Sequence, residues 1–225
     1  MFGKNPVAKK SWHSSLILQV REIFHTIQGE GPHAGLPATF IRLTGCPLRC
    51  AFCDTVWSDT ADQFMDVRDI VAEALSKTPP TTKLFVITGG EPFRQNIQQL
   101  LFLLGMGRPD AINQIETSGV LSQPAFAASC EIVVSPKTPK IHRDVAERAV
   151  AWKYVISSAQ EIGMDGLPVG LARPLKGTPT SRVYLSPMDE YDVDKNRWNR
   201  QRCAELSMKH GYRLMLQLHK LVGVE

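Results

Sequence analysis

Leu84-Phe85-Val86-Ile87-Thr88-Gly89-Gly90-Glu91-Pro92 decides the fold: a short apolar, partly β-branched run, then a glycine pair, an acid and a proline. Such a run reads as a buried strand, and the glycines and proline as the turn that ends it. The same pattern recurs along the chain. Strands are expected at Leu16 to Phe24, Thr39 to Leu43, Leu84 to Thr88, Ile112 to Glu116, Ile132 to Ser135, Trp152 to Ile156, Val183 to Ser186 and Leu214 to Leu218. Helical patterns lie between several of them. Asp66 caps Val67 to Leu75, Gln95 to Leu104 stops at Gly105, Asp144 opens a short helix to Val150, and Asp194 precedes Asn196 to His210, stopped by Gly211. This alternation implies an α/β fold of mostly parallel strands with right-handed crossovers, as an open sheet or a curved, barrel-like one. The glycine-rich loop Gln28 to Gly35 joins the first two strands without a helix, so a full eightfold barrel is not expected.

Polar and glycine-rich sequence follows the C-terminal end of strand after strand. Thr44-Gly45-Cys46 follows the second and Gly89-Gly90-Glu91-Pro92 the third; Thr117-Ser118-Gly119, Pro136-Lys137-Thr138 and Pro187-Met188-Asp189 follow later ones. In parallel α/β architectures these ends face one side, where active sites form. One composite pocket is therefore expected. The stretch Gly163 to Thr180, with four glycines and three prolines, reads as a surface excursion or a lid.

A prior of roughly 150 residues per domain leaves room for one large domain or two small ones. The 225 residues are read as an N-terminal extension over 1–15, expected to be disordered, and a single core domain over 16–225. Apolar residues at 43% and charged residues at 21% are globular values. The longest nearly unbroken apolar run, Leu100 to Met106, is too short to cross a bilayer. Behind Lys4, Lys9 and Lys10 the apolar stretch Leu16 to Leu18 is cut by Gln19 and Arg21, so no secretory segment is read and the cytoplasm is the expected compartment. Basic residues number 26 against 22 acidic ones, a formal charge of +4, too mild a bias to select nucleic acid or a membrane as partner.

Three of the five cysteines crowd into Cys46-Pro-Leu-Arg-Cys50-Ala-Phe-Cys53; Cys130 and Cys203 stand apart. In a reducing compartment such crowding points to metal or redox chemistry rather than a disulfide framework. The spacing lets three thiolates converge on a centre the size of an iron–sulfur cube, one ligand short of the usual four. If Cys130 and Cys203 are core residues, as free cysteines often are, one metal corner is open to a small molecule. Two plainer readings use the same thiols: a zinc site completed by His33 or His219, and a Cys50/Cys53 redox pair.

The cysteine loop, with Phe52 before its last cysteine and Gly89-Gly90-Glu91-Pro92 one strand later, resembles the radical S-adenosylmethionine (SAM) superfamily. Thr26-Ile27-Gln28-Gly29-Glu30-Gly31, Phe40-Ile41-Arg42-Leu43 and Cys53-Asp54-Thr55 are similar to segments of its 7-carboxy-7-deazaguanine synthase family. So, in the same order, are Ile115-Glu116-Thr117-Ser118-Gly119, Val134-Ser135-Pro136-Lys137 and Gln217-Leu218-His219-Lys220. The resemblance runs from about Glu22 onward and implies an incomplete, elaborated (β/α) barrel, generally homodimeric. It implies a 4Fe–4S cluster on Cys46, Cys50 and Cys53, SAM on the fourth iron, and a flavodoxin or ferredoxin-type electron donor. The implied reaction contracts 6-carboxy-5,6,7,8-tetrahydropterin to 7-carboxy-7-deazaguanine with loss of ammonia, a step toward queuosine and other 7-deazapurines.

By the same resemblance Gly89, Gly90, Glu91, Gly119, Ser135, Pro136 and Lys137 hold SAM, and Ser186, Pro187, Met188 and Asp189 border its adenosine. Ile27, Gln28, Gly29, Glu30, Arg42 and Thr117 take the pterin, whose amidine-like edge calls for acceptors and whose carboxylate calls for a cation. On burial grounds alone Arg42 suits an internal salt bridge to a glutamate equally well. Thr55 matches the hydroxyl that binds Mg²⁺ in this family, and His219 is left without a role. The stretch 54–65 is where family members vary most.

Overall fold

In the computed structural model residues 3, 5–11, 14–53, 55, 63–123 and 130–224 are described; Asp54, most of the variable stretch after it, and Glu225 lie outside them. The elements follow in chain order as β1 (Ile17–Ile27), β2 (Pro37–Leu43), β3 (Gln63–Asp66), α1 (Val67–Lys77), β4 (Leu84–Gly89), α2 (Gln98–Gly107), β5 (Ile112–Thr117), β6 (Cys130–Val134), α3 (Arg143–Arg148), β7 (Ala149–Ile156), β8 (Val183–Pro187), α4 (Val193–His210), β9 (Arg213–Leu214) and α5 (Leu218–Val222). Among the described residues the strands form one sheet in the order β3-β1-β2-β4-β5-β6-β7-β8-β9. From β2 to β9 the pairing is parallel, and β1 runs antiparallel to β2 and β3. The architecture is an open, mostly parallel α/β sheet, not a closed barrel.

Strand alternation sorts the two faces. On β7, Trp152, Tyr154 and Ile156 enter the main core with Ile70, Leu100, Leu104 and Cys203 from the helices, whereas Lys153 and Val155 face a cavity on the other side. Helix α1 shows how a helix meets this core: Val67, Ile70, Val71 and Ala74 are buried at helical spacing, and Asp66 accepts from the Arg68 N–H at 2.8 Å as its cap. Each large side chain so buried contributes about 1.5–3 kcal/mol. Cys203 is fully buried and Cys130 partly so, and neither lines the cavity.

The differences from expectation are local. Helix α2 begins at Gln98 because the Gln95 side chain is engaged by β1: the Gln19 N–H donates to its Oε1 at 2.7 Å, and its Nε2 donates to the Gln19 carbonyl at 2.9 Å. It runs on through Gly105 to Gly107, whose missing side chain lets Leu75 of α1 pack close. The residues assigned to the end of the third helix, Ala149 and Val150, open β7 instead. Helix α4 is capped by Asp192, not Asp194, and ends as expected at Gly211, with φ 72°. The last strand shrinks to two residues because the chain then turns across the sheet toward the Gln28 to Glu30 loop. Arg173 staples the long loop after β7 through the Pro168 and Leu171 carbonyls at 2.7 and 2.9 Å, and no residue of it reaches the cavity, so it is an excursion and not a lid.

The described part of the N-terminal extension is bound to the domain. The Gly3 N–H donates to the Arg49 carbonyl at 2.9 Å, the Ala8 N–H to the Cys46 carbonyl at 2.8 Å, and Asn5 Nδ2 to the Thr55 carbonyl at 2.7 Å.

Candidate active site

Strand ends from β2 to β8 open on one cavity of about 280 Å³. Cys46, Cys50 and Cys53 line it together with Gly89, Gly90, Ser135 and Lys137. The glycine pair presses directly on the cysteine loop: the Gly90 N–H donates to the Leu43 carbonyl at 3.2 Å and the Glu91 N–H to the Gly45 carbonyl at 3.0 Å. Gly89 has φ +130°, and a Cβ on either glycine would sit inside the backbone of Leu43 or Gly45. Close approach thus requires both glycines, where sequence alone also allows an ordinary strand-ending turn.

Burial pushes the Cys46 thiol up to about 12, with Glu91, Cys50 and Cys53 adding to the effect, and burial raises the Cys50 thiol too. Three thiolates in this space are favourable only around a positive centre. Among the described residues no group of three His, Cys, Asp or Glu side chains is arranged to hold one metal ion. His33, a candidate fourth zinc ligand, is turned to Glu131 at 2.7 Å and lies outside the cavity. The three thiols suit a cluster whose irons are bound one by one, and His219, the other candidate zinc ligand, lines the cavity with them. Lys137 reaches the same loop, with its Nζ 5.5 Å from the Phe52 ring centre and donating to Ser135 Oγ at 2.6 Å.

Four residues matched to ligand contacts stand behind the cavity wall. Glu91 is fully buried and accepts from the Phe93 N–H at 3.2 Å, the Ser118 N–H at 2.9 Å, the Thr117 hydroxyl at 2.6 Å and the Ser118 hydroxyl. Burial pushes its carboxyl above the usual range, against those four donors. It ties the turn after β4 to the turn after β5, and so positions Gly89, Gly90 and Thr117. Gly119, at φ +77°, packs on Ile141, and Pro136 is also off the wall. Gly29 gives room to the His219 ring, and its carbonyl accepts the Leu218 N–H at 3.2 Å.

Ser186, Pro187, Met188 and Asp189 line the cavity from the end of β8. Lys220 donates to Asp189 at 2.8 Å and, with the Tyr191 N–H and Asn196, holds its carboxyl down at about 2. Ile27, Gln28, Glu30, Arg42 and Thr117 line it too, and Thr55 sits at its mouth. Arg42 does both things open to it: it pairs with Glu22, its register partner on β1, stacks 5.0 Å over Phe24, and still faces the cavity.

Glu116, Lys153, Gln217 and His219 are among the wall residues that were not assigned from sequence. Lys153 had a signal: a lysine amid Ala-Val-Ala-Trp-Lys-Tyr-Val-Ile must be paired to be buried. Burial alone would raise the Glu30 carboxyl, but Lys153, Gln217 and His219 bring it down to about 2. Burial alone would lower Lys153, and Glu116 and Glu30 hold it above the usual lysine range.

The Radical SAM superfamily model matches residues 40–165. A 7-carboxy-7-deazaguanine synthase from Rhodospirillum rubrum is 35% identical over the whole of both chains. One from Escherichia coli K12 is 30% identical over 91% of this chain and 98% of its own. The crystal structure of QueE from Escherichia coli superposes with a TM-score of 0.66 at 26% identity, covering 89% of this chain and 94% of that one. Three thiols and a glycine edge on one cavity, and these full-length likenesses, lead to one conclusion: the chain belongs to the radical SAM superfamily and, within it, to the 7-carboxy-7-deazaguanine synthase family.

Proposed function

We propose that the chain contracts 6-carboxy-5,6,7,8-tetrahydropterin to 7-carboxy-7-deazaguanine with loss of ammonia, as a radical SAM lyase in queuosine or related 7-deazapurine biosynthesis. The observation that carries the reading is the sharing of one cavity by the three thiols and the Gln28, Glu30 and Arg42 side chains. Cys46, Cys50 and Cys53 would hold a 4Fe–4S cluster, and Gly89, Gly90, Ser135, Lys137 and Ser186 to Asp189 would hold SAM. Bound together, they supply one-electron cleavage of SAM and abstraction of a substrate hydrogen. Glu30 and Gln28 orient the amidine-like pterin edge, and Arg42 takes the carboxylate, shared with or released from Glu22. Phe24 and Phe40, stacked at 5.2 Å, form an apolar wall that keeps water from the reduced ring.

Thr55 would give Mg²⁺ one oxygen, the other positions being filled by water and the substrate carboxylate, as suits an ion that keeps its waters. The reading includes a homodimer, a flavodoxin or ferredoxin-type donor, a cytoplasmic setting, and no direct contact with nucleic acid or membrane. Among the described residues no helix is long and apolar enough to cross a membrane, and the free cysteines suit a reducing compartment.

Anaerobic reconstitution should load about four irons per chain, and the reduced protein with SAM and the carboxypterin should release the deazaguanine. Arg42→Ala should lose about 3 kcal/mol of substrate binding, about a hundredfold in KM. Iron-loaded protein that cleaves SAM but leaves the pterin intact contradicts the reading.

A further inference from the structure

The cavity floor holds a buried ionic triad of which only Glu30 has been given a role so far. Lys153 Nζ donates to Glu30 Oε2 and, at 3.3 Å, to Glu116 Oε2, and the three side chains are only 11%, 14% and 16% exposed. Each member comes from a different element: Glu30 from the β1–β2 loop, Glu116 from β5 and Lys153 from β7. Amides fill part of the remaining capacity. Gln217 Nε2 donates to Glu30 Oε1 at 2.8 Å, and Gln28 and Gln114 donate to Glu116 Oε1 at 3.0 and 3.1 Å.

A carboxylate offers about four lone-pair directions. Glu30 then keeps about two for a ligand and Glu116 about one, facing a cavity that both line. A flat ligand edge with three N–H donors matches that remainder. Without the lysine, two carboxylates in one desolvated site would share a proton, since like charges there cannot both ionise cheaply. A protonated member donates where the ligand also donates, and the match is lost.

We infer that Lys153 is a positioning residue for substrate recognition: it holds Glu30 and Glu116 both ionised and at fixed spacing, so that together they accept the donor edge of the pterin. This rests on the pterin reading above. Among the described residues, the charged and titratable groups that share the cavity with the triad are His219 on α5, which adds to the pull on Glu30, Arg42 on β2, paired with Glu22, Lys137, bonded to Ser135, the Asp189–Lys220 pair and the three thiols. The triad carries one net negative charge as it stands, and without the lysine it would carry two were both carboxylates to stay ionised. That added negative charge in a desolvated site is what the test looks for as pH dependence.

The test measures the KM for the carboxypterin and the KM for SAM between pH 6 and 9 on the reconstituted enzyme. Lys153→Met should raise the pterin KM more than tenfold at pH 6.5, with recovery as pH rises, while the SAM KM changes less than twofold. Lys153→Arg should keep the pterin KM flat with pH, and Lys153→Met with Glu116→Gln should be flat again at a raised value. Lys153→Gln, which keeps a donor and loses the charge, is read in the same way should the methionine variant not accumulate. A pterin KM within twofold of the parent and flat with pH in both uncharged variants overturns the proposal, as does an arginine variant as pH-dependent as the uncharged ones. A parent enzyme that makes no deazaguanine overturns the substrate reading instead, and the two failures are distinct.

Discussion

Gly89 shows how much one residue can decide. Its φ of +130° and its lack of a Cβ let the end of β4 lie on the Leu43 backbone, which sets the distance between the glycine edge and the cysteine loop. Gly89→Ala adds backbone strain of about 1–3 kcal/mol and a steric push of similar size. It should lower apo-protein stability by about 2–4 kcal/mol in denaturant titration and cut iron loading by more than half; wild-type values for both contradict this account of the site. Glu91 acts at the same scale, since its four donors make it the knot between two turns. Motif matching finds such a residue but not the turns it joins. Those appear only when its neighbours are known.

At the scale of elements, the C-terminal helix is the informative case. Five residues are too few for a helix to persist alone. Helix α5 is held by Gln217 on Glu30 at 2.8 Å, by the Leu218 N–H on the Gly29 carbonyl at 3.2 Å, and by Lys220 on Asp189 at 2.8 Å. The last tie is partly exposed and worth at most about 1 kcal/mol. Lys220→Ala should therefore speed amide exchange across 220–224 by up to about fivefold, with β4 and β5 unaffected; no change would show that the other ties suffice. In the parent protein, Asp189 has its carboxyl depressed to about 2. A depressed carboxyl stabilises above its unfolded value and loses that contribution as pH falls through the folded one. The same amides should accordingly open between about pH 4 and pH 2. Neither α5 nor β3 was legible in the sequence, because both are short and depend on partners far away in the chain. The longer elements were legible because their apolar spacing is their own: α1 and α4 lie where Asp66 and Gly211 punctuate them.

For the whole molecule, the parallel order from β2 to β9 gathers sequence-distant turns on one side, which is why a pocket could be read from turn composition before any contact was known. The cysteine loop and the glycine edge were legible as motifs. Glu116, Lys153 and Gln217 were not, since a strand lysine identifies its partners only when the sheet is assembled. The N-terminal segment is a second such case: Gly3, Asn5 and Ala8 bond to Arg49, Thr55 and Cys46. Removal of residues 3–11 should speed loss of iron to a chelator severalfold, and an unchanged rate would mean the loop holds itself.

The central claim is that the thiol-held centre with its SAM and the acceptor-rich floor serve one cavity, so that their ligands meet. A carboxypterin deuterated on its reduced ring carbons tests this directly when turned over by the reconstituted protein with SAM. The account predicts deuterium in the recovered 5′-deoxyadenosine or SAM, and deuterium confined to pterin-derived material contradicts it.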